Sequence, residues 1–350
     1  MMVMRAITFT KQGEIDVLEY QEVTEPTLGP DEILVKVKAC SVNYLDIHAR
    51  RDRPEIKQKL QETDTPHILG SDIAGEIAEI SGTHPELVIG DRVLLAPCIP
   101  CGVCSDCVNG YENLCDTQQL LGFQTDGGYA EFVKAPAKNA IRIAETLSFV
   151  EASALPIAYL TAWHMLVTRA QLRAGEDVLI LGAGGSVGSA GLQIAKLVGA
   201  RIFATASTDE KLARAKHFGA DVTINYTDID FSEVVLAETN GRGVDVVLEH
   251  VGAATWEQSI SSLAKNGRLV SCGVTTGNIG QINIRKMYQK QLTIMGSALG
   301  TPTELRTLVR LAEQRQLIPI IDRTLPLAQA AEAHQLLESR KNFGKVCLLP

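Results

Sequence analysis

The chain carries no surplus of positive charge: 33 Lys and Arg stand against 41 Asp and Glu, a formal net charge of -8 over 350 residues. A groove tracking a phosphate backbone is therefore not expected, and nucleic acid is set aside as a partner. No apolar run reaches the roughly 18 residues of a membrane-spanning helix, so no membrane partner is expected either. The start lacks a signal-peptide pattern, because Arg5, Lys11 and Glu14 interrupt it. A cytoplasmic protein is the expectation. Repeats, linkers and low-complexity stretches are also missing. Cysteine is sparse outside one place, since five of the eight lie between residues 98 and 115. Scattered pairs in a secreted chain would suggest disulfides, whereas this cluster suggests a metal.

What is present begins with residues 177–206. Asp177 to Leu181 is a short apolar run followed at once by Gly182, Gly184, Gly185 and Gly188. Ala190, Leu192, Ile194, Ala195, Leu197 and Val198 then recur at helical spacing, and a second apolar run begins at Arg201. This is a βαβ unit with a glycine turn. Glycines let the backbone approach a pyrophosphate closely, and a helix starting near Ser186 and Val187 points its free N–H groups and positive dipole end at the phosphates. A dinucleotide site is expected here.

The length suggests two domains, and 45% hydrophobic residues suffice for two cores. Residues 1–150 are rich in β-branched residues and turn signals, with alternation from Glu32 to Lys38, so a mostly β domain is expected. From about 151 helical stretches alternate with apolar strands at 177–181, 201–205, 222–225, 244–248, 268–272 and 291–296, which implies an α/β, doubly wound parallel sheet. Residues 303–314 and 327–338 read as helices, and 344–349 as a strand able to return to the first domain. Residues 49–66 read as a polar, mobile segment.

Cys101, Cys104, Cys107 and Cys115 are spaced so that four thiolates close a tetrahedron around Zn²⁺, leaving no open position. One structural zinc per chain is expected. Cys98 lies one step upstream at the same spacing, as a competitor or a free thiol.

Together these features resemble the zinc-containing alcohol dehydrogenase and quinone oxidoreductase-like proteins of the medium-chain dehydrogenase/reductase superfamily. The resemblance covers essentially the whole chain and includes Asp72, Gly75 and Glu76, the run Gly90 to Val93, Gly128 to Glu131, and Gly344 with Lys345. It implies a GroES-like domain from 1–155 and 300–350, carrying the zinc lobe at about 98–116, and a Rossmann domain at 156–299. It also implies an active site between them and a homodimer or homotetramer acting on a small-molecule substrate.

The catalytic metal is where the chain departs from that pattern. Metal-using members place ligands where this chain has Asn43, Ser71 and Ile157. An amide, a hydroxyl and an alkyl group make a poor zinc site, and no cation of any kind is expected there. Cys40 and His67 lie three and four residues away; the first is expected as a packed thiol, the second as a solvated loop residue. By the same resemblance, Asn43 and Thr161 lie near the nicotinamide. Val251 and Gly252, Cys272 and Gly273, and Ser297 sit on strand-end segments passing the ring, and Lys345 helps hold the cofactor. His48 occupies the position of a proton-relay histidine, Tyr44 is another possible donor, and Asp46 is expected as a buried structural carboxylate.

NAD-using relatives carry an acid at the end of the second strand, where this chain has Ala206 followed by Ser207. With no carboxylate to repel a 2′-phosphate, with Lys211 as its cationic partner and with Tyr226 matching a tyrosine of that pocket, NADP(H) is expected. The chain thus reads as an NADPH-dependent oxidoreductase that transfers hydride to a small activated alkene (enone, enoyl thioester) or quinone without a catalytic zinc. Two alternatives stay open: a zinc-dependent alcohol dehydrogenase with a non-standard metal site, and a non-catalytic NADPH-binding protein.

Overall fold

The computed structural model describes residues 2–63 and 65–350, the side chains of 62 and 63 excepted. The chain forms two compact units, the first of residues 1–157, 301–315 and 319–350, the second of residues 158–300 and 316–318.

The first unit is built on antiparallel β structure. A three-stranded sheet runs in the order Glu19–Thr24, Val3–Phe9, His67–Ile68. The larger sheet orders Ala140–Arg142, Arg92–Leu95, Asp72–Ile80, Glu32–Ser41, Lys345–Leu349 and Ile321–Pro326, with Phe132–Pro136 pairing on Glu32–Ser41. Strand Glu32–Ser41 shows why. Ile33, Val35 and Val37, on one face, are buried in an apolar core with Ile73, Ile77, Val93 and Leu348, and Leu34 on the other face is covered as well. The last strand does return to this unit, pairing Cys347 with Ser41 and Leu348 with Cys40. That register sets Lys345 beside the turn at Val42 and Asn43.

Most of the polar segment 49–66 is helix, Tyr44–Arg51 ending within it and Pro54–Thr63 filling its middle; Asp64 lies outside the described residues. Helix Tyr44–Arg51 opens with a capping box, in which the Asp46 carboxylate accepts from the Asn43 backbone N–H at 2.7 Å. Asn43 and Asp46 thereby fix the entry angle of the helix that carries Tyr44 and His48.

The second unit is a six-stranded parallel sheet in the order Val222–Asn225, Arg201–Ala206, Asp177–Ile180, Val244–Glu249, Leu263–Ser271, Thr293–Gly296. The order reverses after Asp177–Ile180, and ligands bind such sheets at the strand ends beside that reversal. The central strands read Val, Leu and Ile continuously because both faces are covered, and Val178, Leu179, Ile180, Val246, Val247 and Leu248 are all fully buried.

Candidate functional site

In the first unit, Asn43, Ile157 and Lys345 converge on one carboxylate, Asp72. Asp72 is fully buried at the start of its strand. Its Oδ1 accepts from the backbone N–H of Ile157 at 2.8 Å. Its Oδ2 accepts from Asn43 Nδ2 and from Lys345 Nζ, each at 2.8 Å, and stands 2.8 Å from Ser41 Oγ. Lys345 is fully buried as well. Its other two donors go to Asn43 Oδ1 at 2.6 Å and the Val42 carbonyl at 3.1 Å. A fixed cation therefore lies against Asn43 after all, an ammonium rather than a metal, and all three of its N–H bonds are spent within this unit.

That arrangement bears on whether these positions suit a metal. Asn43 turns its oxygen to the ammonium and its nitrogen to Asp72, Ser71 donates its hydroxyl to the Leu121 carbonyl at 2.6 Å, and Ile157 offers only backbone. A dication at these positions would face a buried like charge, so the residues do not fit a catalytic zinc.

Neither neighbour rebuilds a ligand set. Cys40 is fully buried, and burial pushes its thiol well above the usual range. His67 departs from the expected solvated loop residue: it lies on a short strand, fully buried, with Nε2 3.1 Å from the Gly122 carbonyl and Nδ1 2.9 Å from Lys59 Nζ. The edge strand pairing on Phe9, across which it packs ring to ring at 5.5 Å, takes it inside. Asp46 is fully buried, and burial raises its carboxyl to about 7. Tyr44 and His48 share a helix face with ring centroids 5.2 Å apart. The His48 side chain is 36% exposed, and partial burial lowers its pKa, so near neutral pH it is mostly uncharged.

The cysteine lobe fits a structural zinc. The Sγ atoms of Cys101, Cys104, Cys107 and Cys115 all lie within 4.8 Å of one another, with Cys101 and Cys107 3.9 Å apart. A ZnS₄ tetrahedron with bonds of about 2.3 Å has edges of about 3.8 Å. The backbone N–H groups of Val103 and Cys104 lower the Cys101 pKa, and that of Cys101 lowers the Cys115 pKa, while burial raises that of Cys107. Val103, Val108, Tyr111 and Leu114 are exposed, so apolar burial alone does not hold this lobe. Cys98 is outside the four, its thiol pushed up to about 12 by burial. Among the described residues this is the single such cluster of potential ligands.

In the second unit the glycine turn is shaped as a phosphate cradle. Gly182 has φ +53°, and a Cβ on Gly188 would come within 2.3 Å of the Gly182 carbonyl oxygen. Helix Ser186–Val198 has Gly185 as N-cap, and its first intrahelical bond runs from the Ser189 N–H to the Gly185 carbonyl. The N–H groups of Ser186, Val187 and Gly188 come before it and await an acceptor. Lys211 lies over the turn: a Cβ on Gly184 would meet its Cδ at 2.9 Å and Nζ at 3.4 Å. Ser207 follows the second strand, and the Tyr226 N–H donates to the Ala206 carbonyl at 3.2 Å. These residues fit a dinucleotide.

Val251 and Gly252 both donate their N–H to Glu249 Oε1, at 2.6 and 2.9 Å, and Glu249 Oε2 accepts from Thr255 and Ser259. This buried glutamate, which shapes the loop, was invisible in the sequence pattern because two of its four partners are backbone N–H groups and the other two are ordinary hydroxyls. Gly273 packs so that a Cβ would fall 2.3 Å from the His250 carbonyl oxygen, Cys272 has its thiol raised to about 12 by burial, and Ser297 Oγ is buried without a partner. Thr161 lies on the short helix Leu160–Trp163, 7% exposed.

Family models agree with this anatomy. Residues 29–145 match the alcohol dehydrogenase GroES-like domain and residues 186–314 the zinc-binding dehydrogenase model. A zinc-type alcohol dehydrogenase-like protein of Schizosaccharomyces pombe is 33% identical over 99% of both chains. A solved NAD-dependent alcohol dehydrogenase superposes with TM-score 0.92 at 38% identity, covering 99% of this chain and 100% of that one. Crotonyl-CoA carboxylase/reductase AntE, solved in complex with NADP, superposes with TM-score 0.92 at 26% identity over 99% of this chain and 94% of its own.

Two predictions follow from the charges and thiolates. Elemental analysis of the purified protein is expected to give one zinc per chain, retained in Cys98→Ser and lost in Cys107→Ser; two per chain would contradict the metal assignment. Lys345→Met is expected to cost about 3–5 kcal/mol in denaturant unfolding, because it strands a buried carboxylate. Adding Asp72→Asn to it should recover part of that loss, and a double variant no better than the single would show that the pair is not the cause.

Proposed function

The chain belongs to the zinc-type alcohol dehydrogenase family of medium-chain oxidoreductases, and we propose that within it the protein is an NADPH-dependent reductase of small activated alkenes or quinones that works without a catalytic zinc. The observation carrying this reading is the Lys345 ammonium wedged between Asn43 and Asp72.

Reducing an isolated ketone calls for a strong electrophile on the carbonyl oxygen, which zinc supplies as a Lewis acid. Without it the site relies on hydrogen-bond donors to the developing oxyanion. Conjugated acceptors ask less, since their negative charge spreads into an enolate or quinol. Asn43 suits that lesser task. One N–H of its Nδ2 is taken by Asp72, while the other has only a 3.5 Å approach to the Ser41 carbonyl. Lys345 on its oxygen polarises the amide and strengthens that remaining donor. His48, Tyr44 or water delivers the proton, with Thr161 as a further hydroxyl near the ring.

NADPH, when bound, supplies the hydride. Ser186, Val187 and Gly188 hold its phosphates with their free N–H groups, and Lys211, Ser207 and Tyr226 receive the 2′-phosphate where Ala206 offers no carboxylate. Glu249 keeps Val251 and Gly252 in place for the ring, alongside Cys272, Gly273 and Ser297. The similar alcohol dehydrogenase named NAD-dependent speaks to that protein's preference; Ala206 and Lys211 argue for the phosphorylated cofactor here.

The test is NADPH oxidation with 2-cyclohexenone and 1,4-benzoquinone beside cyclohexanone. Turnover of the first two by protein holding one zinc per chain, with little of the third, is expected. NADPH should be preferred to NADH, and Ala206→Asp should erode that preference roughly tenfold, the scale of one opposed charge near a surface. Preference for cyclohexanone with a second zinc needed would overturn the reading, and NADPH binding with no acceptor reduced would favour a non-catalytic role.

We propose further that the protein is a homodimer or homotetramer that pairs through Thr293–Gly296, an edge strand of the parallel sheet that follows the exposed residues Ile279, Ile284 and Tyr288 in the chain. Light scattering is expected to give at least twice the chain mass; a monomer at micromolar concentration would remove this assembly.

A further inference from the structure

A buried chain of polar side chains runs through the first unit with one direction. Arg50 is fully buried and can only donate, to Glu338, to the Gly13 carbonyl at 3.3 Å and, through NH1, to His334 Nδ1 at 3.2 Å. His334, fully buried on helix Ala330–Glu338, must therefore accept at Nδ1 and, uncharged, carry its proton on Nε2. Burial, with Arg50 beside it, lowers its pKa to about 3, consistent with a neutral ring. Nε2 lies 3.2 Å from Tyr129 Oη, which thus accepts from histidine and turns its own proton to Asp46 Oδ2, also at 3.2 Å. Asp46 Oδ2 holds the Asn43 N–H at 2.7 Å, and Asp46 Oδ1 is buried with no partner.

We propose that His334 and Tyr129 are positioning residues for Asn43, because the chain Arg50→His334→Tyr129 donates into one oxygen of Asp46 and so keeps that carboxylate fastened to the Asn43 backbone. None of the three touches Asn43; they act through Asp46. Both bonds into Oδ2 are stronger when Asp46 is ionised, and a proton taken up by the carboxyl belongs on the empty Oδ1. The groups facing Asp46 oppose one another. Burial is the largest influence and raises its pKa to about 7, the Asn43 N–H lowers it, Asp72 on its strand raises it, Lys345 on the last strand and the Tyr129 hydroxyl lower it, and the Cys40 thiol opposite is uncharged. Asn43 is therefore held most firmly above neutral pH and loosened below it.

The inference is tested with readouts that need no substrate as well as with turnover. Buried Asp46 binds its proton more tightly folded than unfolded, so its contribution to stability is present at low pH and is lost as pH rises from about 4 to about 7. In wild type minus Asp46→Asn, the melting-temperature difference should show that fall. Tyr129→Phe removes a bond to the charged form and should move the upper end of the fall upward by about one pH unit. His334→Leu should act in the same direction. His334→Gln, whose amide can accept from Arg50 and donate to Tyr129, should restore the wild-type midpoint. In NADPH-dependent reduction of 2-cyclohexenone, the acid limb of kcat should shift with the same variants while KM for NADPH holds. This arm rests on the proposed function and the melting arm does not, so loss of turnover alone indicts that reading. A melting profile unchanged in Asp46→Asn, or a midpoint that ignores both Tyr129→Phe and His334→Leu, would overturn the inference. Should His334→Leu fail to fold, Tyr129→Phe and His334→Gln decide it.

Discussion

The pairing of Lys345 with Asp72 is the constraint on which the first unit's centre depends. Two unit charges at about 4 Å attract by roughly 4 kcal/mol at an effective dielectric of 20, while taking each out of water costs several kcal/mol. The pair alone would not stabilise the fold. What makes it tolerable is complete satisfaction: three acceptors on the ammonium, and donors on both carboxylate oxygens. Each of those partners is thereby fixed. The pair binds the last strand, the turn before helix Tyr44–Arg51, strand Asp72–Ile80 and the backbone at Ile157 into one arrangement, and Asn43 is oriented as a consequence.

This is also the part of the protein that a linear reading reaches least well. The glycine turn, the parallel strands and the four cysteines announce themselves because their meaning is local: an apolar run before Gly182, or thiols three residues apart. Lys345 and Asp72 are 273 positions apart, and neither lies in a pattern that names the other. The register of Cys347 on Ser41 brings them together, and that pairing is a property of the folded sheet. The resemblance names Lys345 as a cofactor residue and points to three positions that lack the usual metal ligands. It gave no sign that an ammonium stood beside them. His67 was misread for a related reason: a histidine in a polar stretch looks solvated until the strand pairing on Phe9 takes it inside. Tyr129, His334 and Arg50 are legible only as a three-dimensional chain.

The two cation sites of the first unit follow opposite logic. The cysteine lobe has few apolar side chains turned inward and four thiols at metal distance, so it is fitted to take its order from an ion from outside. The centre at Asp72 takes its cation from the polypeptide, on a strand pinned by sheet hydrogen bonds. An exchangeable dication with an open position can meet a substrate; an ammonium with three protein acceptors cannot do so without giving one up. On the proposed reading, the same family architecture keeps a zinc site where the metal would hold shape and places an ammonium where it would do chemistry.

That replacement bears on what the site can reduce, on the reading proposed above. Lys345 and Asp72 cancel, and Asp46 near neutral pH is between charged and neutral. The centre thus presents dipoles and at most a small negative balance, with no net positive charge. Hydride delivered to an isolated carbonyl would leave a localised alkoxide against that balance, with one amide N–H to meet it. A conjugated acceptor carries its own relief, since its charge moves away from the reacting carbon into an extended oxyanion that one polarised donor can hold. Selectivity for such acceptors then needs no pocket built to reject ketones: it follows from withholding the electrophile that ketones require.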